Sequence, residues 1–126
     1  MTANPTVLVI DDEESHRYTT RLMLQGSGFD VKEAATGYEG LRLAADLPAV
    51  IILDLHLPDI SGEEVLRRLR ADPRTAGIPI VVVSADATSA SLDRLRAAGA
   101  DAYLTKPLDV DEFLRAVERF LPAGGD

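Results

Sequence analysis

Asp11, Asp12, Asp54, Ser84 and Lys106 are the residues whose types and positions could combine into chemistry, because each stands at the end of a short apolar run. Asp11 and Asp12 follow TVLVI, Asp54 follows VIIL, Ser84 follows IPIVVV and Lys106 follows AYLT. Three carboxylates gathered in one place repel one another, by about 4 kcal/mol per pair at 4 Å and an effective dielectric of 20. A cation must therefore sit among them. The candidates are the Lys106 ammonium and a hard, oxygen-seeking divalent ion, with Mg²⁺ favoured because it tolerates several waters and few carboxylates. A site balanced in this way is suited to a dianionic phosphoryl group, which an aspartate oxygen can accept as an acyl phosphate. Asp54 is the candidate nucleophile, since it stands alone after the most continuous apolar run. The acidic pair suits metal and water, and the Ser84 hydroxyl can bond a phosphoryl oxygen.

That chemistry requires the five residues to be neighbours, and the order of elements along the chain predicts that they are. Val50 to Leu53 are apolar without alternation, the mark of a strand buried on both faces. Thr6 to Ile10, Phe29 to Ala34, Ile78 to Val83 and Ala102 to Thr105 read as the other strands. Helices are predicted over about 13–25, 36–46, 62–71, 89–98 and 109–121. The first is expected to show Tyr18, Leu22 and Met23 on one side and to end at Gly26. The second is expected to use Tyr38, Leu41 and Ala45, the third Val65, Leu66 and Leu69, and the last Phe113, Leu114, Val117 and Leu121. The helix over 89–98 has only Leu92 and Leu95 as large apolar anchors. Gly26, Ser27 and Gly28 fall after a helix and before a strand, the wrong order for a phosphate-binding loop. Five strands alternating with five helices predict an α/β fold with an open, doubly wound parallel sheet. Right-handed crossovers then bring all strand C-termini to one edge, where such folds bind ligands.

Composition narrows the function classes. The 126 residues suffice for a single domain and one set of functions, with 46% hydrophobic and 27% charged residues. The absence of cysteine excludes disulfides, thiolate catalysis and Cys-ligated zinc. A net charge of -8 argues against direct nucleic-acid binding, which needs a basic footprint. No apolar run reaches the roughly 18 residues of a membrane span, and Met1 to Thr6 lacks the regions of a signal peptide, so no membrane association and a cytoplasmic location are expected.

Taken together, Asp11-Asp12, Asp54 with Pro58 and Gly62, Ser84-Ala85 and Lys106-Pro107 make the chain resemble the CheY-like response-regulator receiver domains of bacterial two-component signalling. The resemblance runs from Val7 to Leu121. It implies a flavodoxin-like strand order, 2-1-3-4-5, and a single receiver domain over 1–126 (core about 6–121); the few residues after the last helix are expected to hold no output domain, the receiver either standing alone or being cut from a longer regulator or hybrid kinase. It implies that Asp54 accepts a phosphoryl group from a histidine kinase or phosphotransfer protein, and that Asp12 with Asp11, Asp54 and the His56 backbone carbonyl hold Mg²⁺. Lys106 would pair with the phosphoryl group, Ser84 would move to bond it, Tyr103 would turn inward, and Pro107 would follow a cis peptide. Such a domain is a signalling phosphoacceptor rather than an enzyme, acting only on its own phosphorylation and dephosphorylation. It would switch the face formed by helix 4, strand 5 and helix 5 to control a downstream protein target or output domain, and a phosphorylation-dependent dimer is compatible with it.

Two positions are candidates for tuning the lifetime of the acyl phosphate. The His56 imidazole could steer water, or it could face solvent and lend only its carbonyl. Asp86, two residues past Ser84, is the other. His16, Glu13 and Glu14 are expected on the surface of the first helix. Two other readings compete. A haloacid-dehalogenase-like phosphatase would place a second aspartate two residues after the nucleophile, where this chain has His56. A receiver-like interaction module working without phosphorylation would have no need of Asp54, Ser84 and Lys106.

Overall fold

A computed structural model of the chain describes residues 4–86 and 88–121. The polar end after Leu121 and the first three residues, on which the sequence expectations partly fell, lie outside the described residues.

The apolar runs become five strands: β1 (Thr6–Ile10), β2 (Asp30–Ala34), β3 (Val50–Asp54), β4 (Ile80–Ser84) and β5 (Ala102–Thr105). They alternate with α1 (Glu14–Gly26), α2 (Gly37–Ala44), α3 (Gly62–Ala71), α4 (Ser89–Ala98) and α5 (Val110–Arg119). All pairings are parallel, in the order β2-β1-β3-β4-β5. This is the expected doubly wound, flavodoxin-like sheet.

Strand residues alternate between two cores, as the pleat demands. Leu8, Ile10, Ile51, Leu53, Ile80 and Val82 face one side and pack with Val65, Leu66 and Leu69 of α3, Ala44 of α2 and Leu95 of α4. Val7, Val9, Val50, Ile52, Val81 and Val83 face the other and pack with Leu24 of α1 and Phe113 and Val117 of α5. Removing such side chains from water stabilises by about 1.5–3 kcal/mol each, so the continuous runs of β3 and β4 hold the middle of the sheet.

Four helices start on side-chain caps. Thr36, Ser61, Thr88 and Asp109 accept from the backbone N–H of Glu39, Glu64, Ser91 and Glu112 respectively. Each cap satisfies a donor that the helix cannot satisfy internally. The start of α1 differs. Its N-cap, Glu13, makes no side-chain cap, and the Glu13 N–H instead donates to Asp11 Oδ1 at 2.9 Å.

Several expectations for the helix faces are corrected. Tyr18 and Leu22 lie on the solvent side of α1, 53% and 51% exposed, whereas Thr20 and Leu24 are buried. The Tyr18 ring instead lies against the Arg21 guanidinium, 5.3 Å from its centroid. Tyr38 is also exposed, with Arg68 5.5 Å over its ring, and α2 turns Gly37, Gly40 and Ala44 inward rather than Ala45. Gly26 belongs to α1, and the left-handed residue that redirects the chain is Gly28, with φ 90°.

Candidate functional site

Register decides which residues meet at the C-terminal edge. Ile10 pairs with Leu53, so Asp11 and Asp54 are next along adjacent strands. Asp54 pairs with Val83, Ser84 with Thr105, and the Lys106 N–H donates to the Ser84 carbonyl at 2.9 Å. A close approach of backbone supports the end of β3. The Gly62 N–H donates to the Leu55 carbonyl at 2.9 Å, and a Cβ on Gly62 would lie 2.4 Å from the Asp54 carbonyl oxygen. Only glycine fits there.

The three charged groups converge. Lys106 Nζ lies 2.9 Å from Asp54 Oδ2 and 3.4 Å from Asp11 Oδ2. Asp54 Oδ1 accepts the His56 N–H at 3.0 Å. Asp54 and Asp11 are 5% and 7% exposed, so neither carboxylate is solvated as at a surface. Burial pushes the Asp11 carboxyl above its ordinary value, the Glu13 N–H works against this, and the Asp54 charge adds to it. Burial also works against the Lys106 ammonium, but the hydrogen bonds and charges of Asp54 and Asp11 outweigh it and raise its pKa. Two negative charges face one positive charge, which leaves the cluster with a surplus of one negative charge.

Ser84 is buried at the end of β4, and its Oγ accepts the Asp86 N–H at 3.1 Å. Asp86 in turn accepts from the Ser91 hydroxyl at 2.7 Å and the Thr88 N–H at 3.0 Å. Those bonds hold its carboxyl below the usual carboxylate range, the Ser91 hydroxyl contributing most. Ser84 is thus tied through Asp86 to the first turn of α4. Tyr103 is half-buried on β5, and its hydroxyl is buried without a partner among the described residues. It lines a small cavity of about 60 Å³ with Leu92, Leu95 and Arg96 of α4. The Lys106–Pro107 peptide is cis.

Asp12 and His56 are both exposed, each next to a site residue in the chain, Asp12 after Asp11 and His56 two residues after Asp54. Their side chains stand outside the group of donor atoms from Asp11, His16 and Asp54 that lie within 4.8 Å of one another among the described residues. His16 is the residue that sequence reasoning missed. Although 45% of its side chain is exposed, its Nδ1 lies 3.1 Å from Lys106 Nζ and 3.6 Å from Asp11 Oδ2. The available signal was its place in the first turn of α1, five residues after Asp11 and three after Glu13. Arg17 was missed as well. It donates to the Asp11 carbonyl at 2.7 Å and pairs with Glu33 on β2, fixing α1 over the edge.

A cleft of about 460 Å³ opens here, lined by Asp11, His16, Asp54 and Lys106 together with apolar side chains that include Met23, Ile52 and Leu108. The donor set fits a hard divalent cation: the carboxylates are paired with too little positive charge, and the burial that lifts the Asp11 pKa would be offset by such an ion. No helix among the described residues is long and apolar enough to cross a membrane.

Known proteins share this fold. The family model of the response regulator receiver domain matches residues 7–118. The DNA-binding dual master transcriptional regulator RpaA of Synechocystis is 41% identical over 120 residues, covering 93% of this chain and 49% of that protein, so the chain spans about half of its length. The polar-differentiation response regulator DivK of Brucella ovis is 32% identical, with 92% and 95% covered. Among solved structures, chemotaxis protein CheY4 of Vibrio cholerae superposes with a TM-score of 0.88 at 30% identity, covering 94% of this chain and all of that one. The receiver domain of sensor histidine kinase PA1611 from Pseudomonas aeruginosa, solved with magnesium coordinated in its active-site cleft, superposes with a TM-score of 0.86 at 27% identity, with 94% and 98% covered. A parallel sheet in this order, acidic residues and a lysine at its edge, and a family match over 112 of 126 residues (7–118) lead to one assignment: the chain belongs to the response-regulator receiver domains of two-component signalling.

Proposed function

We propose that Asp54 is the phosphoacceptor of this receiver and that a histidine kinase or phosphotransfer protein is the donor. The supporting observation is the convergence of Asp54 Oδ2 and Asp11 Oδ2 on Lys106 Nζ at 2.9 and 3.4 Å. An Asp54 carboxylate oxygen attacks the phosphorus of a phosphohistidine. The new P–O bond forms as the P–N bond breaks, and the donor imidazole leaves with the electron pair. Mg²⁺, when bound, would neutralise charge developing on the phosphoryl oxygens. Asp11, Asp12, Asp54 and the His56 carbonyl are the groups that would hold it.

Lys106 would turn from the carboxylate to a phosphoryl oxygen, the same charge serving both states. Phosphorylation adds about two negative charges and three acceptors, and the Ser84 hydroxyl is the nearby neutral donor free to reorient. Its Oγ would then leave the Asp86 N–H, loosening the turn that starts α4. Tyr103 can fill space released there because its hydroxyl has no partner to give up. The α4–β5–α5 face would change in consequence and be read by a protein target or an output domain. His56, whose N–H bonds Asp54, and Asp86, whose N–H bonds Ser84, would tune how long the acyl phosphate lasts.

Intact mass after incubation with Mg²⁺ and acetyl phosphate tests this reading. The expected result is a labile gain of one phosphoryl group, absent in Asp54→Asn and without free metal. An unmodified wild-type chain with confirmed Mg²⁺ binding would overturn it in favour of a phosphorylation-independent interaction module.

A further inference from the structure

The chain has two histidines, and one of them is held in a geometry that phosphoacceptor chemistry does not require. His16 Nε2 lies 2.8 Å from Glu13 Oε2. A carboxylate only accepts, so its closeness favours the tautomer with the proton on Nε2. The Nδ1 lone pair is then directed at Lys106 Nζ, 3.1 Å away. A carboxylate set against the far nitrogen, with the near nitrogen offered to a cation, is the outer-shell arrangement that orients metal-ligating histidines.

The cation position is already marked. The Lys106 ammonium contacts Asp54 Oδ2, His16 Nδ1 and Asp11 Oδ2 at 2.9, 3.1 and 3.4 Å. The donor atoms of these three residues lie within 4.8 Å of one another. Zinc with three protein ligands needs donors at about 2.0–2.2 Å and keeps a fourth position open. Closing to that distance asks for a modest contraction, which a half-exposed imidazole on the first turn of α1 can supply. Lys106 is partly exposed and can swing outward. Its replacement by a divalent ion would balance the two carboxylate charges.

Donor type then sets the ion. Mg²⁺ takes hard oxygen ligands, whereas imidazole suits zinc and its first-row neighbours. We propose that Asp11, His16 and Asp54, with Glu13 orienting the imidazole, form a site for a divalent transition-metal ion of the zinc class that competes with magnesium in the phosphoacceptor cleft. The inference rests on the cleft being a cation site, as the proposed function also requires. A zinc-class ion bound there occupies the Asp54 oxygen and removes Lys106 from its place, so it opposes phosphoryl transfer.

The test is Zn²⁺ titration of the untagged chain against a chromophoric chelator, with Mg²⁺ affinity measured by calorimetry on the same samples. His16→Ala is expected to weaken Zn²⁺ binding by at least about tenfold and Glu13→Ala by about tenfold. His56→Ala should leave it unchanged, and Mg²⁺ affinity should stay within about twofold in all three. The His16 imidazole NMR signals should move with Zn²⁺ and not with Mg²⁺. Unchanged Zn²⁺ affinity in His16→Ala, or a loss carried by His56→Ala, would overturn the inference while intact Mg²⁺ binding left the phosphoacceptor reading standing. A wild-type chain that binds neither ion would overturn both.

Discussion

Replacing Lys106 by methionine removes one positive charge and keeps most of the side-chain volume, which isolates the role of that charge in the apo fold. The ammonium lies 2.9 Å from Asp54 Oδ2 and 3.4 Å from Asp11 Oδ2. At an effective dielectric of 20 those separations correspond to about 6 and 5 kcal/mol of gross attraction. Most of this is offset by water that the ammonium gives up on folding. The net loss is set by what remains, two poorly solvated carboxylates that keep their backbone N–H donors but have no counter-charge, and breaking such a pair costs about 3 kcal/mol. For a domain of this size that is a fall in Tm of about 10 °C in the presence of a chelator.

Mg²⁺ should reverse most of it, because a ligand at about 100 times its Kd adds about 2.7 kcal/mol to the native state. The pH dependence carries a second signature. Asp11 binds its proton more readily folded than unfolded, so its charge costs stability at neutral pH and the cost falls as pH drops through its native pKa. Without the lysine that relief is larger, and the variant should approach wild type in acid. The Lys106 contribution itself is present in full below 10.5 and is lost only as pH rises through its raised native value. Denaturant melts with chelator, with Mg²⁺ and across pH measure all of this. A variant that loses less than about 1 kcal/mol in chelator, or that gains no more from Mg²⁺ than wild type does, would refute the reasoning.

Glycine positions separate steric from conformational effects. Gly62→Ala forces a Cβ to within 2.4 Å of the Asp54 carbonyl oxygen and 2.6 Å of Leu55 Cα, both backbone, so it should destabilise by about 2–3 kcal/mol and slow phosphorylation by acetyl phosphate. Gly26→Ala meets nothing within 4 Å and should stabilise α1 by about 0.5 kcal/mol, seen as a raised denaturation midpoint without loss of phosphorylation. The Asp86 carboxyl is held below its ordinary 3.8 by Ser91 and Thr88, so its support of the fold is present above that pH and lost as pH falls through the lower native value. Asp86→Asn should therefore flatten the acid limb of the stability profile below pH 3.8, as read by denaturant melts. Asp109→Ala deletes the acceptor for the Glu112 N–H at 2.9 Å and should cost about 1 kcal/mol by the same melts, with Mg²⁺ affinity unchanged.

Much of the fold was legible because a doubly wound sheet writes itself strongly: β3 and β4 are buried on both faces, so their residues are apolar without interruption. Helix faces were less legible. In α1 the large apolar residues Tyr18 and Leu22 suggested the inward stripe, but the buried positions are Thr20 and Leu24. Counting apolar residues finds a helix and does not fix its rotation, especially where a surface arginine covers an aromatic ring, as Arg21 does Tyr18 and Arg68 does Tyr38.

The same distinction explains the site. Asp11, Asp54, Ser84 and Lys106 are placed by the sheet, whose register leaves one residue no freedom relative to the next strand. Strand-end chemistry can therefore be read from the order of apolar runs alone. His16 is placed by the rotation of α1 and by its own rotamer, and a change of one residue in that rotation, about 100°, would carry its imidazole away from Lys106. What sets the rotation is a group of polar ties: Arg17 and Arg21 to Glu33 on β2, Arg17 to the Asp11 carbonyl, and the Glu13 N–H to Asp11 Oδ1. Asp11 thus has two tasks. One oxygen holds the start of α1 and the other faces Lys106, so whatever cation the cleft takes also pulls on the helix that carries His16.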